Sequence, residues 1–365
     1  MKKLRYIGVV LLLVCMTGLA MAQSVDSTED GIVANAESTE SDVDVNELVF
    51  GHIGDAYEWH IATFGNTIVS IPLPVIVHSS TGWHVFSSSH LEEGASYEGL
   101  YIAHGGTYDG KIVEKNAAGE EIRPLDISIT KNVLGLFINS AILLIVMMSC
   151  VRWYKKHSIE DGAPKGGVGM IEATVMSIYN DVIKACVGED YKRYAPFLLT
   201  AFFFVLMNNL MGLIPIFPGG ANVTGNIAIT MVLALITFFL TNFYGTKAYW
   251  KDIFWPQVPM WLKVPVPMMP VIEFFGIFTK PFALMIRLFA NIMAGHAAIL
   301  SLVAIIFITV KAGAVINGSM TVVAVAFGIF MEALEILVAF IQAYVFTMLS
   351  AVFIGLSRVK EHKAD

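Results

Sequence analysis

The sequence predicts a mainly α-helical, polytopic membrane protein with five hydrophobic helical segments, the last two long and tilted, and a small β-rich N-terminal extracytoplasmic domain. Three observations lead there. Of 365 residues, 56% are hydrophobic and only 15% charged, against about 25% charged in a soluble domain. The charges thin out after about residue 130 and gather in short loops. Apolar runs from residue 132 onward are long enough to cross a bilayer, which needs about 20 residues.

Residues 1–22 read as a signal peptide. Lys2, Lys3 and Arg5 form a basic start, Ile7 to Val14 a short apolar run, and Ala20-Met21-Ala22 an A-x-A cleavage site. Val14 stands where a lipoprotein signal requires a small residue before Cys15, which argues against lipidation. Removal of Cys15 leaves Cys150 and Cys186, so neither a disulfide framework nor a zinc spacing is expected.

Residues 23–47 hold eight acids (Asp26, Glu29, Asp30, Glu37, Glu40, Asp42, Asp44 and Glu47) and no Lys or Arg, the composition of a disordered acidic linker. Residues 48–128 change character. Ile68-Val69-Ser70-Ile71, Pro74-Val75-Ile76-Val77-His78 and Trp83-His84-Val85-Phe86 are β-prone runs broken by Gly, Ser and Pro. The histidines of this β-rich domain (His52, His60, His78, His84, His90 and His104) invite a zinc reading. They lack tight ligand spacing, and no Glu-x-x-His set supports them, so neither a metal nor another cofactor is expected.

The membrane domain, 129–365, holds apolar segments at about 132–151, 195–216, 226–245, 271–310 and 313–356. The last two exceed a perpendicular crossing and must tilt, bend or lie partly in the membrane plane. A cleaved signal puts residues 23–130 outside. Arg152, Lys155 and Lys156 then fall inside, as the positive-inside rule requires, together with Lys247, Lys251, Lys263 and the tail carrying Arg358, Lys360 and Lys363. Five spans satisfy both signals and leave the C-terminus cytoplasmic. Val168 to Val187, with Ile171, Val175, Ile178 and Val182 at helical spacing, reads as an amphipathic helix at the cytoplasmic surface. Pro256, Pro259, Pro265, Pro267, Pro270 and Pro281 predict a bent approach to the fourth segment.

Ionisable groups inside lipid cost roughly 3 kcal/mol or more and are functional candidates for that reason. Arg287, His296, Glu332 and Glu335 stand out, with Asn291 and Gln342 as polar companions. Asn291, four residues after Arg287, shares its helix face, while His296, nine residues on, points the opposite way. Glu335 and Gln342 share a face, and Glu332 lies one turn before Glu335. Carboxylate, imidazole and amide groups on neighbouring helices are the usual parts of an ion path. A structural ion pair within the chain is the plainer alternative for Arg287, and simple packing for His296.

The run Arg287-Leu288-Phe289-Ala290-Asn291-Ile292-Met293-Ala294-Gly295-His296 resembles the signature of subunit a of the F-type ATP synthase. Two further stretches are similar to that family in the same order: Asn208-Asn209-Leu210-Met211-Gly212-Leu213-Ile214-Pro215 and Ala339-Phe340-Ile341-Gln342-Ala343-Tyr344-Val345-Phe346. The resemblance covers about residues 125–358. It implies that Arg287 is the stator arginine, with Asn291 its polar neighbour and Gln342 packed near it. His296 and Glu335 take a pair of positions where some members carry Glu first and His second. Gly212 stands where some members carry Asp, and no ion-path role is read there.

The resemblance further implies two half-channels and a fixed arginine working against a rotating c-subunit ring, in a bacterial plasma (inner) membrane. Its partners would be that ring, b-type stator subunits, membrane lipid and, indirectly, the F1 catalytic sector. H⁺ is the ion expected. No catalytic triad, phosphate-binding glycine loop or nucleotide motif is visible, so the chain is not expected to be catalytic alone, and its net charge of −7 argues against nucleic acid. The competing class is a secondary ion-coupled transporter, which predicts an inverted repeat; no two similar halves are visible in 130–358.

Overall fold

A computed structural model describes residues 54–64, 67–103, 105–116, 119–157, 162–214, 217–255 and 268–358. The expected signal peptide and acidic linker, His52, His104 and Pro256 to Pro267 lie outside the described residues.

The N-terminal part is built from short antiparallel strands in three small sheets: β1 (Glu58–Phe64) with β2 (Thr67–Pro72); β3 (Pro74–Ser79) between β4 (Gly82–Ser87) and β8 (Leu125–Asp126); and β6 (Ile112–Lys115) between β5 (Leu100–Ile102) and β7 (Glu121–Ile122). The period-2 alternation of β3 decides its register, because it turns Val75 and Val77 inward. There they meet Tyr57, Leu91, Leu100 and Ile112 in one small core. Gly82 sits at φ +125 where the chain turns from β3 into β4, a conformation that only glycine adopts without strain. The Tyr57 hydroxyl donates to Asp126, and burial together with that carboxylate pushes the phenol well above its ordinary value, so it stays neutral.

Seven α-helices of eight or more residues follow among the described residues. They are α1 (Lys131–Lys156), α2 (Gly167–Ser177), α3 (Tyr191–Leu213), α4 (Ile227–Phe243), α5 (Lys247–Phe254), α6 (Met268–Ile308) and α7 (Ala314–Ser357). Among the described residues four helical stretches are long and apolar enough to span, or five if α4 and its continuation α5, bent by 98°, count as one span. Five segments are what the apolar runs predict. α6 and α7 are 41 and 44 residues long. At 1.5 Å per residue each measures roughly 60 Å or more, about twice the hydrocarbon thickness, so both must tilt strongly.

Local sequence explains the boundaries. Asn226 and Thr246 cap α4 and α5, their side chains accepting from the backbone N–H of Ala228 and Tyr249. α6 runs on through Pro281 without a break in the helix. α2 continues through a π-helical stretch, Ile178–Lys184, whose Ile178, Val182 and Ile183 are buried. This is the inward face of the expected amphipathic helix.

The bundle core lies between α1, α3, α4, α6 and α7, around Leu136, Leu198, Phe202, Val205, Leu233, Leu288 and Phe346. Trp59 of β1 belongs to the same core and meets Phe217 edge-on at 5.2 Å. The β domain is thus packed onto one end of the bundle. At the opposite end Arg358 ties α7 to the start of α3 and the end of α4. It donates from Nε to Asp190 at 2.7 Å and from Nη1 to the Tyr244 carbonyl at 2.8 Å.

Candidate ion-translocation site

The site is the seam where α6 and α7 lie against each other and against α3. Arg287 and Asn291 are both exposed on the outer face of α6, one turn apart. Neither a hydrogen bond nor an ion pair joins Arg287 to another described residue. Leu284, Met285, Leu288 and Ile292, on the other side of the same stretch, are buried. Helical periodicity therefore turns the guanidinium away from its own chain while the aliphatic face holds the helix down.

Nine residues later the helix has made two and a half turns, and His296 faces inward. Its Nδ1 lies 3.7 Å from Oε1 of Glu335, which is buried at 5% exposure. Neither carboxylate oxygen of Glu335 has a hydrogen-bond partner among the described residues. Gly295 makes this approach possible, and Gly212 lies opposite the imidazole. A Cβ on Gly295 would stand 2.5 Å from Glu335 Oε1, and one on Gly212 would stand 3.7 Å from His296 Nε2. Gly212 of α3 thus faces the imidazole directly. Glu332 is half-buried one turn before Glu335, and Gln342 is buried two turns after it. The structure brings together His296 and Glu335, leaves Glu332 and Gln342 on the same helix, and holds Arg287 and Asn291 on another surface.

Three asparagines add polar groups that the charge pattern does not reveal. Asn139 of α1 donates to Asn208 of α3 at 3.0 Å, and Asn208 donates to the Phe204 carbonyl at 2.8 Å. Asn209 donates to the Ala339 carbonyl of α7 at 3.3 Å, one turn beyond Glu335. Asn208 and Asn209 lie in the motif already quoted, but an amide in an apolar helix does not announce its partner.

At the β-domain end, Asp55 accepts from the Thr130 hydroxyl at 2.8 Å and from the Asn132 backbone N–H at 3.0 Å. The carboxylate occupies the positive end of the α1 dipole. Burial nevertheless raises its pKa above the ordinary value of 3.8, against the lowering effect of those hydrogen bonds and of Lys111 and Lys131. Among the described residues no group of three or more His, Cys, Asp or Glu is placed to hold a metal ion.

With this arrangement in view, likeness to known proteins is decisive. Residues 134–355 match the family described as ATP synthase A chain. The chain belongs to that family. It is 44% identical to ATP synthase subunit a of Chlorobium phaeobacteroides over 299 residues, covering 79% of this chain and 82% of that protein. Against ATP synthase subunit a of Chloroherpeton thalassium it is 43% identical over 251 residues, 67% of this chain and 71% of the other. Residues 48–129 match a separate family, described as a domain of unknown function (DUF8433). Membership makes the chain an ion-translocating stator subunit of the membrane sector of a rotary ATP synthase, and leaves the transporter alternative without support.

Proposed function

We propose that Arg287 is the fixed cation that faces the carboxylates of a rotating c-subunit ring, and that His296 and Glu335 line an aqueous half-path to that ring. The observation that carries this reading is the exposed guanidinium on the outer face of α6, with no partner among the described residues. A permanent charge left bare at membrane depth is costly by roughly 3 kcal/mol or more, so a complementary anion from outside the chain is required. A carboxylate moving through lipid is neutral, because the bare charge there costs several kcal/mol. Beside Arg287 the ionised form is favoured. Carboxylates on either side of that field exchange protons with different half-paths, and the same field stops a proton from crossing directly between them.

Glu332, Asn291 and Gln342 extend the polar surface around this pair. The β domain lies on the export side and the C-terminus in the cytoplasm, a placement supported by the basic residues at the opposite end of the bundle, Arg152, Lys155 and Lys156. One charge moved through 100 mV yields about 2.3 kcal/mol, so several must pass for each ATP, and the chemistry of ATP belongs to the catalytic sector rather than to this chain. b-type stator subunits hold the chain against the torque.

The test is ATP-driven proton pumping in inverted vesicles. Arg287→Ala abolishes it, and Glu335→Leu slows it. Pumping retained at the normal rate in Arg287→Ala contradicts the assignment.

A further inference from the structure

Seven buried side-chain polar atoms lack a hydrogen-bond partner among the described residues, and six of them sit on α1, α3 and α7, whose seam is tied by the Asn139–Asn208 and Asn209–Ala339 hydrogen bonds: Asn132 Oδ1, Asn139 Oδ1, Ser140 Oγ, Asn209 Oδ1 and both oxygens of Glu335. Buried amides and carboxylates left dry are each costly by about 1–3 kcal/mol or more. Six such atoms gathered between α1, α3 and α7 point to ordered water.

The seam has a defined direction. Asn132 and Asn139 are seven residues apart on α1, hence on one face and about 10 Å apart along the axis. α3 runs antiparallel to α1, so Asn208, bonded to Asn139, is deep, and Gly212, which faces His296, lies one turn nearer the β domain. Asp55 accepts from the backbone N–H of Asn132, so it stands at the β-domain end of this face of α1.

We propose that the β domain supplies the outer mouth of the half-path: Asp55, fixed on the first turn of α1, exchanges protons with the export-side solvent and passes them along water held by Asn132, Asn139 and Asn209 to His296 and Glu335. The proposal rests on the half-path reading above and adds to it the β domain and α1. A half-buried carboxyl whose proton affinity is raised by burial suits an exchange group at such a mouth. No bond other than O–H and N–H is made or broken, and each proton accepted from solvent is released to the next group inward.

The experiment uses the assembled synthase in vesicles of both orientations, with Cys15, Cys150 and Cys186 replaced by Ala, and silver ion as the probe. Cysteines introduced at Asn132, Asn139 and Ser140 should react with silver from the β-domain side and block pumping, whereas Leu233→Cys, in the apolar core on α4, should not. Lack of reaction at 132 and 139 overturns the proposal. In a second arm, Asp55→Asn should lower passive proton flux through the membrane sector several-fold and flatten its dependence on pH at the β-domain side. Unchanged flux in Asp55→Asn alongside abolished flux in Glu335→Gln overturns the mouth and leaves the half-path standing. Unchanged flux in both removes the half-path reading, and this inference with it.

Discussion

Gly295 of α6 and Glu335 of α7 share one slot, in which a methyl group on the glycine would stand 2.5 Å from Oε1 and 2.9 Å from Cδ of the carboxylate. The two helices approach because this position has no side chain, and the carboxylate fills the space. Overpacking of this kind costs about 1–3 kcal/mol. The expected outcome of Gly295→Ala is a displaced Glu335 and about a tenfold loss of ATP-driven pumping, since about 1.4 kcal/mol is a factor of ten in rate. Gly212→Ala is the contrast: its new Cβ would meet His296 Nε2 at 3.7 Å and the Ala221 carbonyl at 3.6 Å, ordinary contacts. Pumping rates of the two variants in inverted vesicles should separate by about that tenfold. Equal rates would refute the slot.

Asn139 and Asn208 are a second testable pair, joined at 3.0 Å in the buried interface of α1 and α3. Asn139→Leu leaves Asn208 Oδ1 without its donor, a loss of about 1–3 kcal/mol. Thermal unfolding of the purified chain in detergent should show a lowered midpoint, and Asn139→Leu with Asn208→Leu should recover part of it, because two apolar groups leave nothing unsatisfied. A double variant worse than the sum of the singles would contradict the pairing.

Much of this was legible in the sequence, and the rest was hidden for identifiable reasons. Charges in apolar helices are conspicuous, so Arg287, His296 and Glu335 declared themselves, and the half-turn between Arg287 and His296 follows from a nine-residue spacing. The five spans follow from run length alone. The Asn139–Asn208 contact was not legible, because its partners are 69 residues apart and an amide does not interrupt an apolar run. Gly212 read as a missing acid; only the packing of α3 on α6 reveals that it faces His296. Asp55 follows a stretch crowded with acids, and composition could not single it out as the one set on the first turn of α1. Pro281 read as part of a bend, yet α6 carries it within a continuous helix, as prolines in membrane helices are carried when neighbouring groups satisfy the freed carbonyl.

Gly355 tests the far end of the bundle. A Cβ there would overlap the Cys186 carbonyl oxygen and come within 3.0 Å of its carbon. A backbone carbonyl cannot rotate away as a long side chain can, so the helices must separate. Gly355→Ala should lower the thermal midpoint in detergent by more than Arg358→Ala. The latter breaks a part-exposed pair with Asp190, side-chain exposures 25% and 36%, of a kind that contributes about 0–1 kcal/mol. The reverse order of midpoints would contradict this account of how α7 docks.

Asp55 makes the docking of the β domain depend on pH, and the sign follows from its raised pKa. The folded state binds the proton more tightly than the unfolded chain does. The stabilisation is therefore fully present below about pH 4, the ordinary value of the group, and is lost as pH rises through the raised value. Lys111 and Lys131 oppose the shift by favouring the carboxylate, and Thr130 and the Asn132 N–H do so by hydrogen bonding, yet burial outweighs them. Asp55→Asn is neutral at every pH and keeps an acceptor for the Asn132 N–H. The difference in thermal midpoint, native minus variant, should therefore fall as the buffer is changed from about pH 4.5 to about pH 8, by about 2–4 °C for each kcal/mol of linkage. A difference that stays flat, or that rises with pH, would show that the carboxylate is held ionised by its hydrogen bonds and that burial does not decide its state.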